Sequence, residues 1–196
     1  MQSILDWDRQ LFFAINHGSA NDFFDVILPW ARTANTWLPL YLFLIAFATI
    51  NYGKKGWWWV LAAGVTVALT NYISSDIIKE NIFRLRPCRD VSIAHQVRFI
   101  VEYCPQSSSF TSSHAANHFG MAAFIFFTGK KMFRWLWLFF LWAFVIIYAQ
   151  VYVGVHYPVD VLAGSVIGFL TGYFTASIFN KRIGFHIFDN QPTSVS

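Results

Sequence analysis

Charge is what this sequence has least of. Only 12% of its 196 residues are charged, against about 25% in an ordinary soluble domain. That scarcity excludes a disordered chain, a coiled coil and a typical cytosolic enzyme. No internal repeat or low-complexity linker is present, and no period-two alternation suits a β-barrel. A secretory signal is not expected either: Asp6 and Asp8 stand where a basic n-region belongs. In place of charge there is apolar surface. Hydrophobic residues make up 56%, aromatics 20%, with 22 Phe and 9 Trp. Mean hydropathy is +0.45. This is the composition of an integral membrane protein of one compact bundle. The net charge of +4 then reads as a topology signal or a lipid head-group attraction, not as nucleic-acid binding.

Five stretches contain no Asp, Glu, Lys or Arg: 33–53, 56–75, 103–129, 135–159 and 161–180. A bilayer-crossing helix takes about 20 apolar residues. Helices alone satisfy the backbone over segments of this pattern. The expected spans are 36–52, 57–78, 115–129, 132–149 and 158–179, the third being short. The fold class is therefore all-α, a polytopic membrane helix bundle of five transmembrane helices, or six if 19–32 also crosses. Residues 1–35 read as interfacial helices, the first an amphipathic one with Leu5, Trp7, Leu11, Phe12 and Ile15. The whole of 1–196 is expected to form one membrane-embedded domain, with 1–35 as its interfacial N-terminal segment. The tail from Gln191 to Ser196 is polar and expected to fray.

Lys54 and Lys55, then Lys130, Lys131 and Arg134, then Lys181 and Arg182 fall on one side of a five-span bundle. By the positive-inside rule that side is cytoplasmic. The other side holds the loop 79–114, which carries Lys79, Arg84, Arg86, Arg89 and Arg98. Five basic residues there go against the rule and ask for a functional reason. Cys88 and Cys104 lie in the same loop. In an oxidising compartment they can close a disulfide.

Three polar clusters sit at membrane ends of the spans: Lys79 to Pro87, Phe110 to His114, and Gln150 to Asp160. Ionisable residues at such depth need partners or a function. Lys79 and Arg86 suit an anion clamp, Arg with its planar fork. Ser112 or Ser113 can cap the next helix, whose free N–H groups favour phosphate. His156 precedes a helix whose first turn holds Asp160. That carboxylate can hold one ring nitrogen and leave the other free to attack. Glu80 and Arg84, four apart, read as a surface pair. His118, four after His114, could share a metal with it, but no third ligand follows at helical spacing. His17, His95 and His186 read as interface or surface residues. Trp57, Trp58 and Trp59 read as an interfacial belt. Ala115, Ala116, Gly120, Gly164, Gly168 and Gly172 read as helix-packing positions.

Together these clusters resemble the type 2 phosphatidic acid phosphatase superfamily of membrane lipid phosphatases. Its three motifs are Lys-x6-Arg-Pro, Pro-Ser-Gly-His and Ser-Arg-x5-His-x3-Asp. The first is intact as Lys79, Arg86 and Pro87. The second appears as Thr111, Ser112, Ser113 and His114, with Ser and His kept. The third keeps His156 and Asp160, while Ala149 and Gln150 replace Ser-Arg. The resemblance implies His156 as nucleophile, Asp160 as its partner and His114 as general acid and base. It implies Lys79, Arg86, Ser112 and the Ser113 N–H as phosphate ligands, with no metal and no cofactor. Gln150, a substrate-binding position by this resemblance, can donate a hydrogen bond but supplies no charge where the pattern has Arg; Arg84, Arg89, Arg98, or a substrate whose second phosphate is held elsewhere, are the candidates to compensate. The partners implied are a lipid phosphate substrate and membrane lipids, with the oligomeric state open. The expected setting is a bacterial inner membrane, with the site facing the periplasm. Undecaprenyl diphosphate is the first-choice substrate. Phosphatidylglycerophosphate, phosphatidate and lipid A phosphates are alternatives. A lipid-phosphate binding or transport protein is the rival of another class. An intramembrane Ser–His protease using Ser112 is a weaker one.

Overall fold

The structure, a computed structural model, describes residues 2–185. The polar tail and His186 lie outside that range. Helices carry the described residues, and no strand occurs among them. In chain order they are α1 (Gln2–Asn16), α2 (Asp22–Ala31), α3 (Leu38–Tyr52), α4 (Lys54–Asn81), α5 (Ser113–Gly129), α6 (Leu138–Tyr152) and α7 (Pro158–Arg182). Short 3-10 turns, Ala34–Trp37 and Arg134–Trp137, lead into α3 and α6.

With those turns included, α3, α4, α6 and α7 are long and apolar enough to cross a membrane. The fifth expected span, α5, has 17 residues, about 25 Å of helix. Ten of its residues are buried, because α4, α6 and α7 all pack on it. It is the enclosed centre of the bundle. The possible sixth span is not one: α2 has 10 residues, about 15 Å, half the thickness of the hydrocarbon core. Both α1 and α2 pack against α6.

Small residues decide how closely α5 and α7 cross. A Cβ on Gly168 would strike the Ala116 carbonyl oxygen, and one on Gly172 the Gly120 carbonyl oxygen. Backbones approach this way only when side chains are missing from the seam. The consequence is that the N-termini of α5 and α7 lie side by side, with the Ser112 N–H donating to the Asp160 carbonyl at 3.0 Å. The turn from α6 to α7 needs Gly154, whose φ is +87°. In that turn the N–H groups of Val155 and His156 both donate to the Gln150 carbonyl, at 3.2 and 3.3 Å.

At the opposite end, the Tyr52 hydroxyl reaches the Met132 sulfur at 3.4 Å and Tyr52 packs on Phe185. The three Lys/Arg clusters therefore gather at one end, as their spacing requires. Trp57 and Trp58 are exposed there, but Trp59 is 7% exposed and donates to Thr128 at 2.9 Å. It is a core residue and leaves the expected belt. Its face of α4 turns toward α5, a choice that adjacent tryptophans do not reveal. The loop 82–112 caps the other end, where Cys88 and Cys104 form the expected disulfide with Cα atoms 6.3 Å apart.

Candidate active site

The structure departs from the sequence expectation for α1 at Asp8. Ile4, Leu5 and Trp7 face outward, while Asp8, Phe12 and Asn16, one face at i, i+4 and i+8, are buried. Asn16 ties down two loops through one amide, donating to the carbonyls of Arg98 at 2.8 Å and Tyr152 at 2.7 Å. It also accepts from the Arg98 N–H at 2.9 Å. Asp8, 1% exposed, accepts from the Val159 N–H at 2.9 Å and from Arg84 at 2.6 Å. The other arm of the same guanidinium donates to Asp160 at 2.6 Å. Arg84 is thus a bridge between two buried carboxylates. It is not the surface partner of Glu80, because α4 ends at Asn81 and the chain turns inward behind it.

Asp160 lies in the first turn of α7, where the helix dipole favours a carboxylate. One of its oxygens accepts from Arg84. The other accepts from the Tyr157 N–H at 2.9 Å and the Ser109 hydroxyl at 2.5 Å. That second oxygen also lies 3.6 Å from His156 Nδ1. On the far side of the ring, Arg86 approaches His156 Nε2 at 2.9 Å. A guanidinium can only donate, so Nε2 carries the lone pair and Nδ1 the proton. His156 is 1% exposed, and burial pushes its pKa down to about 4. The ring is therefore neutral at pH 7, with its bare nitrogen turned toward Arg86.

Arg86 is itself fixed by Ser107, Ser108 and Val155. It donates to the carbonyls of Ser107, Val155 and Ser108 at 3.0, 3.1 and 3.3 Å and to the Ser107 hydroxyl at 3.1 Å. Burial lowers its pKa to about 10, and neighbouring Arg32 pushes the same way. It remains a cation at pH 7. Ser112 is the N-cap of α5, its hydroxyl accepting from the Ala115 N–H at 3.4 Å. The Ser113 hydroxyl meets that of Ser75 at 2.8 Å. His114 stands in the first turn of α5, within the field of Arg32, His156 and Lys79. The neighbouring His118 has its Nδ1 on the His114 carbonyl at 2.7 Å. Lys79 follows a π-helical stretch, Tyr72–Ile78, and lies in the field of Arg86 and Asp160. Inserting wider turns rotates every later residue about the helix axis, so the π stretch determines which way Lys79 faces.

All of the expected site residues, Lys79, Arg86, Ser112, Ser113, His114, Gln150, His156 and Asp160, thus gather at one end of the bundle. Two of the three expected substitutes for the missing cation at 150 are already paired. Arg84 is held by Asp8 and Asp160, and Arg98 by Asp25. Instead Arg32, at the end of α2, donates to Gln150 Oε1 from Nε at 3.4 Å and from Nη2 at 3.3 Å. Asp8, Ser109 and Arg32 had no local signal. Each acts across 51 or more sequence positions, and only the buried face of α1 at i, i+4 and i+8 could have hinted at Asp8.

A neutral imidazole with its lone pair facing a guanidinium, and a carboxylate behind it, is built for attack on an anion. Comparison with known proteins agrees. Residues 59–184 match the PAP2 superfamily. The chain is a member of that superfamily. Among PAP2 relatives it is 31% identical to a lipid A 4'-phosphatase of Bacteroides thetaiotaomicron, over 93% of this chain and 83% of that one. The crystal structure of Aquifex aeolicus LpxE superposes with a TM-score of 0.63 at 27% identity, covering 86% of this chain and 93% of that one. A PAP2-type phosphatidylglycerolphosphate phosphatase from Bacillus subtilis shares the fold, with a TM-score of 0.71 at 20% identity over 95% of this chain and 90% of that one. The protein is a multi-pass membrane phosphatase of the PAP2 class.

Proposed function

We propose that this PAP2 phosphatase cleaves a phosphate monoester from a lipid A-type glycolipid through a phosphohistidine on His156. The observation that carries the chemistry is the His156 ring, held between Asp160 and Arg86 with Nε2 unprotonated. In the first step the Nε2 lone pair forms a bond to phosphorus and the P–O bond to the lipid breaks. His114 gives its proton to the departing lipid oxygen. Asp160 offsets the positive charge that develops on the ring. In the second step water attacks phosphorus, His114 takes its proton, and the P–N bond breaks to release phosphate. Lys79, Arg86, Ser112 and the free N–H groups at the start of α5, Ser113 among them, hold the phosphate oxygens. Each donor is worth most where developing negative charge meets it in a water-poor site.

The substrate class rests on the Bacteroides relative, whose likeness runs over 93% of this chain. That likeness supports lipid A-type phosphates over undecaprenyl diphosphate, the first choice from the sequence motifs. The Cys88–Cys104 disulfide supports a site on the oxidising face of the membrane. The basic clusters at the other end support a cytoplasmic side there. Purified protein in mixed micelles, given lipid A, undecaprenyl diphosphate, phosphatidylglycerophosphate and phosphatidate in turn, tests the assignment. The expected result is fastest phosphate release from lipid A and an acid-labile phosphoprotein with label on histidine. Faster release from the polyprenyl diphosphate overturns the substrate class, and a phosphoserine overturns the mechanism.

A further inference from the structure

We infer that Arg32 is a phosphate-binding residue of this site, delivered by the N-terminal segment to the place where Gln150 carries no charge. The inference rests on the phosphatase reading above. Arg32 is the C-cap of α2 and has no carboxylate partner among the described residues. Its guanidinium spans only the side-chain oxygen of Gln150, at 3.3 and 3.4 Å. Gln150 is fully buried, and because its oxygen receives Arg32, its amide nitrogen is the free donor. That nitrogen has no hydrogen-bond acceptor. Arg32 also acts electrostatically on both Arg86 and His114. Two guanidiniums and a histidine thus share one end of the bundle, and beside Arg32 stands a neutral amide with spare N–H groups.

Like charges brought together out of water repel, and burial makes each one dearer. The arrangement becomes favourable when an anion with several acceptor oxygens lies among the groups. A phosphate that receives Arg86 and Lys79 on one side meets Arg32 and the Gln150 amide on another. Gln150 then has two duties: its oxygen aims the Arg32 fork, and its nitrogen donates directly. In the resemblance drawn from sequence, position 150 is where the pattern carries Arg. Here that charge comes from 118 residues earlier in the chain. It follows that α2, outside the matched segment 59–184, belongs to the working site.

The test uses full-length protein in detergent, with lipid A turnover and inhibition by inorganic vanadate as two readouts. Arg32→Ala is expected to lower kcat/KM about 100-fold, in the range for losing one charged donor to a transition-state oxyanion, and to weaken vanadate inhibition in parallel. Arg32→Lys keeps the charge without the fork and is expected to recover part of the loss. The double variant Arg32→Ala with Gln150→Arg is expected to regain most of the activity, whereas Gln150→Arg alone crowds a further cation and lowers it. Activity and vanadate affinity within twofold of the parent in Arg32→Ala overturn the inference. So does a loss that neither Arg32→Lys nor the double variant recovers, because that pattern marks a role in folding alone. If the parent protein forms no phosphohistidine, the phosphatase mechanism fails instead, and the two failures are told apart by that control.

Discussion

The basic residues at the loop end of the bundle fall into two regions that obey different rules. Along the outer strap, every arginine that reaches a carboxylate helps to hold elements together: Arg9 with Asp90, Arg98 with Asp25, and Arg84 with both Asp8 and Asp160. In the inner cradle, Arg86, Arg32 and Lys79 have no salt-bridge partner among the described residues. Carbonyls, hydroxyls and an amide hold the two arginines, while Lys79 feels the charge of Asp160. A paired cation is neutralised and becomes architecture. An unpaired one, positioned by neutral groups, keeps its charge for a ligand. Residue type alone does not separate the two, since Arg84 and Arg86 are two positions apart and belong to opposite groups.

Substitutions can break or sharpen that division. The largest effect is expected between the two regions, at His156. His156→Ala should reduce turnover to background, on the order of 10⁴-fold or more for a lost nucleophile, with no labelled phosphoprotein. Well-folded His156→Ala protein at full activity would sink the mechanism. In the strap, Asp8→Ala leaves a buried arginine short of one partner and the Val159 N–H without its acceptor. A loss of about 3 kcal/mol in stability is expected, read as a lower thermal midpoint, with activity falling as Asp160 loosens. In the cradle, Arg86→Lys should do the reverse. Stability should change little while kcat/KM drops about tenfold or more, because the fork that reaches Nε2 and phosphate together is gone. If Asp8→Ala and Arg86→Lys shift stability and kcat/KM in the same proportion, the two regions are not distinct.

Acidity probes the boundary more gently. Burial holds the His156 pKa at about 4, below the usual value of about 6.5. An unfolded chain therefore takes up that proton first as pH falls. The sign follows: neutral His156 costs nothing above about pH 6.5, and stability drains away as pH falls toward and through about 4. His156→Gln should flatten that part of the thermal-midpoint curve. Smallest of all is Gln150→Ala, which leaves every charge in place and removes only the oxygen that aims Arg32 and one amide donor. It should trim kcat/KM by roughly tenfold at most, less than the loss of Arg32 itself.

What the sequence determined by itself is local. Charge-free stretches mark α3, α4, α6 and α7, because a bilayer admits long helices only where side chains are apolar. His156 and Asp160, four apart across a helix start, already imply an oriented imidazole. Glycines and alanines at helical spacing imply a close seam, and the α5–α7 crossing is one. What tertiary structure decided is every assignment that depends on a partner far along the chain. Trp59 reads like Trp57 and Trp58 until α5 packs beside it. Asp8 reads as the wet face of an amphipathic helix, yet it closes a chain of charge from α1 through Arg84 to Asp160. Arg32 lies in a short segment with no motif, and only the docking of α2 on α6 brings it to Gln150. Periodicity reports how a residue faces its own helix axis. It carries no information about which distant charge waits across the interface, and in a chain so poor in charge those few long-range encounters decide which cations are neutralised within the fold and which stay unpaired.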